Sequence, residues 1–284
     1  MELDNRESLQ KAFNHTFSDR SISNLKDYYF VVNGEAYRDF SSRTIKGIKK
    51  EDTEEARKWL AEKIYDYIND IGDDFFKSVD DQKDFDSWHK RICCEFCRIV
   101  KEKSGFDIAA GKAQKILNMA LKYVFCFADS GSALRKFEYC HMALDHYTLE
   151  LWFCHNVKPW YNEQESKELT NGNKITNGMI SNWSNLAYEN EVSLKTDKLS
   201  YIAIQKIIRE YLEHNPNPAP LTPFQKEFYI WKEEQLKEWL SAGKTILGEN
   251  NEFDIYPSYP LEPICKDCDK VIKNLELIKN KFKA

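Results

Sequence analysis

The sequence has few of the residues that make turns. Its 284 residues include only 10 glycines and 8 prolines. Many-stranded sandwiches and barrels need frequent turns, which glycine and proline largely supply, so their scarcity favours long helices. Hydrophobic residues make up 42% and charged residues 31% of the chain, a balance typical of a globular protein rather than a disordered one. We therefore predict a mainly α, multi-helical protein.

The sequence also lacks a long apolar run. None approaches the roughly 18 residues that a membrane-spanning helix needs. The stretch from Met1 to Glu7 is polar and partly acidic, so we expect neither a signal peptide nor a transit peptide. The eight cysteines then indicate reduced thiols. We expect a cytoplasmic protein with no membrane contact.

Positive charge is not in excess either. The formal net charge is −5, so binding to nucleic acid would need a local basic patch, because affinity follows local phosphate contacts. The sequence contains no P-loop, no dinucleotide-binding fingerprint and no His-Glu-x-x-His motif. We therefore expect no cofactor.

Hydrophobic periodicity predicts helices at about 53–71, 83–103, 107–127, 144–155 and 197–214. Thr222-Pro223 is typical of a further helix start. Asn33-Gly34 lies between two β-prone runs, Tyr28–Val32 and Ala36–Phe40, and this pattern predicts one small N-terminal β-hairpin. The polar stretch 156–196 is predicted to be an exposed loop. We expect a single helical domain over 1–284. A division into two lobes, one of about 1–50 plus 157–284 and one of 51–156, is the alternative.

The predicted helix 107–127 has a broad apolar face and a narrow polar stripe. Gly111, Lys115, Asn118 and Lys122 fall close together on the helical wheel. The common interpretation is a surface helix with solvated lysines. In the other interpretation the stripe faces a cleft, where an amine can bind phosphate or act as a nucleophile.

Asp145 stands at the start of the next predicted helix. With Thr148 three residues later, it is a good N-cap. Its carboxylate could also point into the same cleft as Lys115, and the two interpretations are compatible.

The spacing of these residues resembles that of a known enzyme family. Gln114-Lys115, then Leu121-Lys122, then Asp145 resemble the archaeal 8-oxoguanine DNA glycosylases of the helix-hairpin-helix DNA glycosylase superfamily, over about 50 of the 284 residues (105–155). The resemblance implies an all-helical fold with a cleft between two lobes. It also implies a catalytic lysine on one helix and an aspartate capping the next, at the positions of Lys115 and Asp145.

The residue types suit that chemistry. A lysine amine can attack the sugar C1′ and form a Schiff base, and a nearby carboxylate can stabilise the developing positive charge. Lys112 is an alternative nucleophile. We expect Lys112, Asn118 and Lys122 to contact nucleic acid. In place of the superfamily's Gly-x-Gly turn the chain has Ile108-Ala109-Ala110.

Two other functions remain open. One is a non-enzymatic interaction or inhibitor protein of phage, mobile-element or defence origin, which would bind a protein partner through 156–196. The other is a DNA-binding module without catalysis. The wider pattern also resembles proteins of bacteria and phages, a likeness that implies no activity.

Metal binding is the minor alternative. Cys94-x-x-Cys97 and Cys265-x-x-Cys268 together could supply four thiolates to zinc, but the first pair falls in the middle of a predicted helix. We therefore expect no metal.

Overall fold

The computed structural model describes residues 22–37, 48–69, 81–127, 133–167, 174–177, 183–189, 199–216 and 221–230. This part of the chain holds seven α-helices and no strand, so the mainly α prediction is confirmed. No helix in the same ranges is both long and apolar enough to cross a bilayer.

The α-helices are α1 (Leu25–Phe30), α2 (Glu54–Asn69), α3 (Gln82–Ser104), α4 (Ala110–Phe127), α5 (Lys158–Lys167), α6 (Tyr201–His214) and α7 (223–230). Two π-helical segments adjoin them, Val31–Ala36 after α1 and His146–Val157 before α5. Short 3₁₀ turns occupy Glu51–Thr53, Ala133–Tyr139 and Trp183–Asn185.

Helix α3 begins and ends where its sequence signals stand. The Asp81 side chain accepts a hydrogen bond from the Asp84 N–H at the N-terminus. Gly105 ends the helix with a left-handed φ of 74°, a conformation that favours glycine. Five apolar residues of the helix are all buried: Phe85, Trp88, Ile92, Phe96 and Ile99.

The prediction of an N-terminal β-hairpin is wrong. Residues 25–36 are helical, and Asn24 caps α1 through a reciprocal capping box with Asp27. Val31, Val32 and Ala36 are fully buried, and the π-helical segment that carries them packs on α4. Tertiary burial therefore overrides the β propensity of these residues.

Helix α4 lies at the centre of the described core. It packs against α3, the π-helical segment Val31–Ala36 and the turn at Trp183–Asn185. From Ala113 to Phe127 every residue except Lys115 is buried. A helix buried all round is normally apolar, yet α4 encloses Gln114, Asn118 and Lys122.

The predicted exposed loop at 156–196 is corrected in the part that the structure describes. The π-helical segment continues into α5, so residues 158–167 are helical. Ile175, Leu186 and Tyr188 are buried in the core. These described stretches are therefore packed structure rather than a free surface.

Candidate active site

Lys115 and Asp145 contact each other. Lys115 Nζ lies 3.4 Å from Asp145 Oδ2, and the two side chains are 14% and 8% exposed. Between Ala113 and Phe127 on α4, Lys115 is thus the residue that is partly exposed to solvent. The pair joins a position in the middle of α4 to the start of the π-helical segment, which lies 30 residues further along the chain.

Asp145 also caps the π-helical segment, as predicted. Its Oδ1 accepts a hydrogen bond from the Thr148 N–H at 3.2 Å, and Thr148 Oγ1 accepts one from the Asp145 N–H at 2.8 Å. The capping bond uses Oδ1 and the lysine contact uses Oδ2. One carboxylate therefore makes both the capping bond and the contact with Lys115.

The extended segment 141–144, which leads to Asp145, has no regular secondary structure and is completely buried. Side chains satisfy its backbone in place of a helix or sheet. Gln114 Nε2 donates to the Leu144 carbonyl at 2.9 Å, and Gln114 Oε1 accepts from the Leu144 N–H at 3.1 Å. Gln205 makes the same two-point contact with Met142, at 2.7 Å to its carbonyl and 3.3 Å from its N–H.

Ala143, between those two clamped residues, is held by charged and hydroxyl groups. Its N–H donates to Glu227 Oε2 at 2.7 Å, and its carbonyl accepts from Thr148 Oγ1 at 2.8 Å. The path of the chain into Asp145 is therefore fixed by hydrogen bonds at three consecutive residues.

Asn118 connects this segment to a buried polar network. Its Nδ2 donates to Gln114 Oε1 at 3.1 Å and to the Tyr201 hydroxyl at 2.9 Å. Its Oδ1 lies 3.0 Å from His89 Nε2, which assigns the ring proton of His89 to that nitrogen. Asn118 is thus a hydrogen-bonding junction inside the core.

The network continues through Tyr201 to His141 and Asp86. The Tyr201 hydroxyl, which accepts from Asn118, lies 2.9 Å from His141 Nδ1. His141 Nε2 lies 2.7 Å from Asp86 Oδ1 and donates to that carboxylate.

Burial lowers the pKa of both His89 and His141, for His89 well below the ordinary value. Burial alone would raise the pKa of Asp86. The hydrogen bond from His141 and the nearby charges of His141 and Arg209 outweigh that effect, so the pKa of Asp86 falls below its usual range. At neutral pH, which lies above both lowered pKa values, Asp86 is ionised and His141 is neutral.

Lys122 forms a second, fully enclosed ion pair. Its Nζ lies 2.7 Å from Glu227 Oε1, and neither side chain has more than 2% exposure. Burial raises the pKa of Glu227, and Lys122 and the Ala143 N–H offset part of that rise. The pair joins α4 to α7 and is sealed from solvent.

The structure corrects the prediction that Asn118 and Lys122 contact nucleic acid. Both are fully buried with partners inside the protein, so neither presents a surface to a phosphate. Lys112 is half-buried at the start of α4. The nearby Gly111 N–H donates to the Leu186 carbonyl at 3.0 Å, so that amide is already used.

The structure describes two of the four cysteines of the alternative zinc site. Cys94 is exposed and Cys97 is half-buried, both on α3. Burial raises the pKa of Cys97 to about 12, which opposes the thiolate that a metal requires. Cys265 and Cys268 lie outside the described residues. Within the described ranges, no group of three or more His, Cys, Asp or Glu is placed to hold a metal ion.

Sequence reasoning missed the residues that build this surrounding structure: Asp86, His89, Gln114, Gln205 and Glu227. A helical wheel places Gln114 beside the polar stripe, but it cannot show that the stripe bonds to backbone atoms 24 to 30 residues away. One signal was available for Glu227. It stands among buried aromatic residues, Phe224 and Phe228, on the apolar side of α7.

Comparison with known proteins identified no relative of this chain. The chain matches no protein-family model, no curated protein and no solved structure.

Proposed function

We propose that this protein is a DNA glycosylase with lyase activity, in which Lys115 is the nucleophile and Asp145 is its carboxylate partner. One observation carries the proposal. The amine of Lys115 and a carboxylate oxygen of Asp145 lie 3.4 Å apart at the edge of the core, largely shielded but still reached by solvent. A nucleophile with an adjacent oriented base is the arrangement that covalent catalysis requires.

Lys115 and Asp145 together can remove the damaged base and form a Schiff base with the sugar. Asp145 takes a proton from the Lys115 ammonium, and the free amine attacks C1′ of the damaged nucleotide. The bond from C1′ to the base breaks, and its electron pair leaves with the base, which takes the proton from Asp145. A second proton then moves from Nζ to the ring oxygen as the C1′–O4′ bond opens. The product is an iminium between Nζ and C1′.

The hydrogen bonds around Asp145 suit this role. Its Oδ1 is held by Thr148, so Oδ2 keeps a fixed direction toward the amine. Preorganised groups need no rearrangement when charge develops in the transition state. The damaged nucleotide must leave the base stack to reach Lys115. Lys112 is half-buried and lies on α4 with Lys115. Among the described cations it is the nearest to Lys115 in sequence, and we assign it the phosphate contact.

Borohydride trapping tests the proposal. The protein is incubated with duplex oligonucleotides carrying 8-oxoguanine, uracil, hypoxanthine or an abasic site, and borohydride reduces any imine to a stable protein–DNA bond. We expect wild type to trap on at least one of these substrates. We expect Lys115→Ala to abolish trapping and Lys58→Ala, at an exposed position on α2, to retain it.

Asp145→Asn and Asp145→Ala separate chemistry from capping. Asparagine preserves the capping acceptor but removes the charge, so it should lose trapping while costing little stability. Alanine should lose trapping and also about 1 kcal/mol of helix capping.

Absence of trapping by wild type on every substrate, or trapping that survives Lys115→Ala with Lys112→Ala, would contradict the proposal. Salt-dependent DNA binding without trapping would favour a DNA-binding module instead. A protein partner that co-purifies, with no DNA affinity, would favour an interaction protein.

A further inference from the structure

Gln114 links the two chain segments that carry the proposed catalytic pair. It precedes Lys115 on α4, and its side chain is fully buried. Both of its polar side-chain atoms bond to Leu144, the residue that precedes Asp145, at 2.9 and 3.1 Å. One side chain thus links the backbone positions immediately before the nucleophile and before its carboxylate.

The bonds leave Gln114 little freedom. Its Nε2 also donates to the Gly111 carbonyl at 2.9 Å, and its Oε1 also accepts from Asn118 at 3.1 Å. Thr148 fixes Asp145 from the other side through the capping box. Thr148 and Gln114 therefore fix the carboxylate from two sides, and Gln114 is the one that connects it to the helix of Lys115.

We propose that Gln114 is a positioning residue that sets the distance between Lys115 Nζ and Asp145 Oδ2. The catalytic consequence of this inference rests on the proposed function, whereas the geometric part stands without it. When Gln114 loses its polar atoms, Leu144 loses two hydrogen bonds, and Asp145 is free to move from the amine. A displacement of about 1 Å at a reacting group can lower a rate about 100-fold.

Gln205 provides a matched control. It too is fully buried, and it makes the same two-point contact with the backbone of the same extended segment. It holds Met142 rather than Leu144, however, and so acts two residues further from Asp145. Gln205→Met removes two hydrogen bonds to Met142, whereas Gln114→Met removes two to Leu144 together with those to Gly111 and Asn118. Only the Gln114 variant removes the bonds beside the carboxylate.

The experiment measures Lys115 directly and then measures trapping. The full-length wild type, Gln114→Met and Gln205→Met are treated briefly with acetic anhydride under conditions where all are folded. Mass spectrometry of the Lys115 peptide gives the labelling rate of that amine. Gln114→Asn, which stays neutral and whose amide is one methylene shorter and so withdrawn from Leu144, serves if the methionine variant does not fold.

We expect Lys115 labelling to rise several-fold in the Gln114 variant and to stay within twofold of wild type in the Gln205 variant. The trapping rate should fall at least 10-fold in the Gln114 variant alone. Equal labelling changes in both variants, or no change in either, would overturn the positioning role. If wild type does not trap at all, the proposed reaction fails, and the labelling rates still decide whether Gln114 positions the pair.

Discussion

Lys122 and Glu227 show the energetic risk of placing charges inside the core. Their ion pair, with an Nζ–Oε1 distance of 2.7 Å, is almost fully removed from solvent. The attraction within such a pair roughly repays its desolvation, so its presence adds little net stability. Removal of one partner is different, because the remaining charge is left buried without compensation.

Replacement of Lys122 by methionine should therefore lower the free energy of unfolding by about 3–5 kcal/mol. Lys112→Met, at a half-buried position on the same helix, is the control and should change stability by less than about 0.5 kcal/mol. Urea denaturation measures both. Adding Glu227→Gln to Lys122→Met should recover part of the loss, because no charge then remains buried.

The pH dependence of that variant follows from Glu227. Burial raises the pKa of Glu227, and loss of Lys122 removes an influence that lowered it. A carboxyl whose folded pKa is raised binds its proton more tightly in the folded state, so stability is lost as the pH rises through that pKa. Lys122→Met should consequently be less destabilised near about pH 5 than near about pH 8. An equal loss at both would contradict this assignment.

His89 and His141 are neutral imidazoles in the core, with ring centroids 4.6 Å apart. His89 faces His141, Asn118, Tyr188 and Tyr201, whereas His141 also faces Asp86. Since burial lowers the pKa of both, only the unfolded chain takes up their protons just below about pH 6.5. Their stability contribution is complete above that pH and is lost as the pH falls toward the folded-state pKa values.

His89→Gln should reduce the slope of unfolding free energy against pH, between about pH 6.5 and 5, by up to about 1.4 kcal/mol per pH unit. The control is His155→Gln, at an exposed position, which should leave the slope unchanged. Urea unfolding at several pH values measures both slopes. Equal slopes for wild type and His89→Gln would show that His89 does not remain neutral in the fold.

At the scale of helices and turns, two glycines form a natural comparison. Gly105 ends α3 at a φ of 74°, where an added Cβ meets no atom within 4 Å but the backbone favours glycine. Gly34 lies in the π-helical segment after α1, without a left-handed φ, and an added Cβ there also meets nothing within 4 Å. The two positions therefore differ in backbone conformation and not in available space.

Gly105→Ala should destabilise the protein by about 1 kcal/mol because alanine is strained in the left-handed region. Gly34→Ala should be neutral or stabilising by up to about 1 kcal/mol, since it reduces the freedom of the unfolded chain. Thermal denaturation compares the two variants. A stabilising Gly105→Ala would contradict the left-handed end of α3.

The same scale shows why some elements could be predicted and others could not. Helix α3 has a regular apolar stripe, a capping aspartate and a terminal glycine, and all of these signals agree. The false hairpin arose because Asn33-Gly34 and its β-prone neighbours outweighed the capping signal of Asn24 and Asp27. Those neighbours form a helix since Val31 and Val32 are buried against α4, a contact that no local pattern contains.

At the scale of the whole molecule, several buried polar groups of the described residues form a seam that joins distant parts of the chain. Asn118 on α4 connects to His89 on α3 and to Tyr201 on α6, while Lys122 connects to Glu227 on α7. Such networks rigidify a core when every member is bonded. The seam holds the segment 141–144, so it also determines where Asp145 lies.

Only the two outermost residues of the candidate site could be predicted from the sequence. Lys115 and Asp145 stand out because a lysine in a polar stripe and an aspartate at a helix start are visible locally. The burial of Asn118 and Lys122 was not visible, because the residues that contact them are distant in sequence: Met142 and Tyr201 for Asn118, and Glu227 and Phe228 for Lys122. The solvated-stripe interpretation of α4 is therefore wrong for these two residues, whose polar atoms bond within the protein.

The central claim is that Lys115 is the amine that reacts. It is tested most directly by locating the covalent bond. Wild-type protein trapped with borohydride on a damaged oligonucleotide is digested with protease and nuclease, and the modified peptide is sequenced by mass spectrometry. Our account predicts the sugar remnant on Lys115. A remnant on Lys112, on the N-terminal amine or on any other lysine would contradict it.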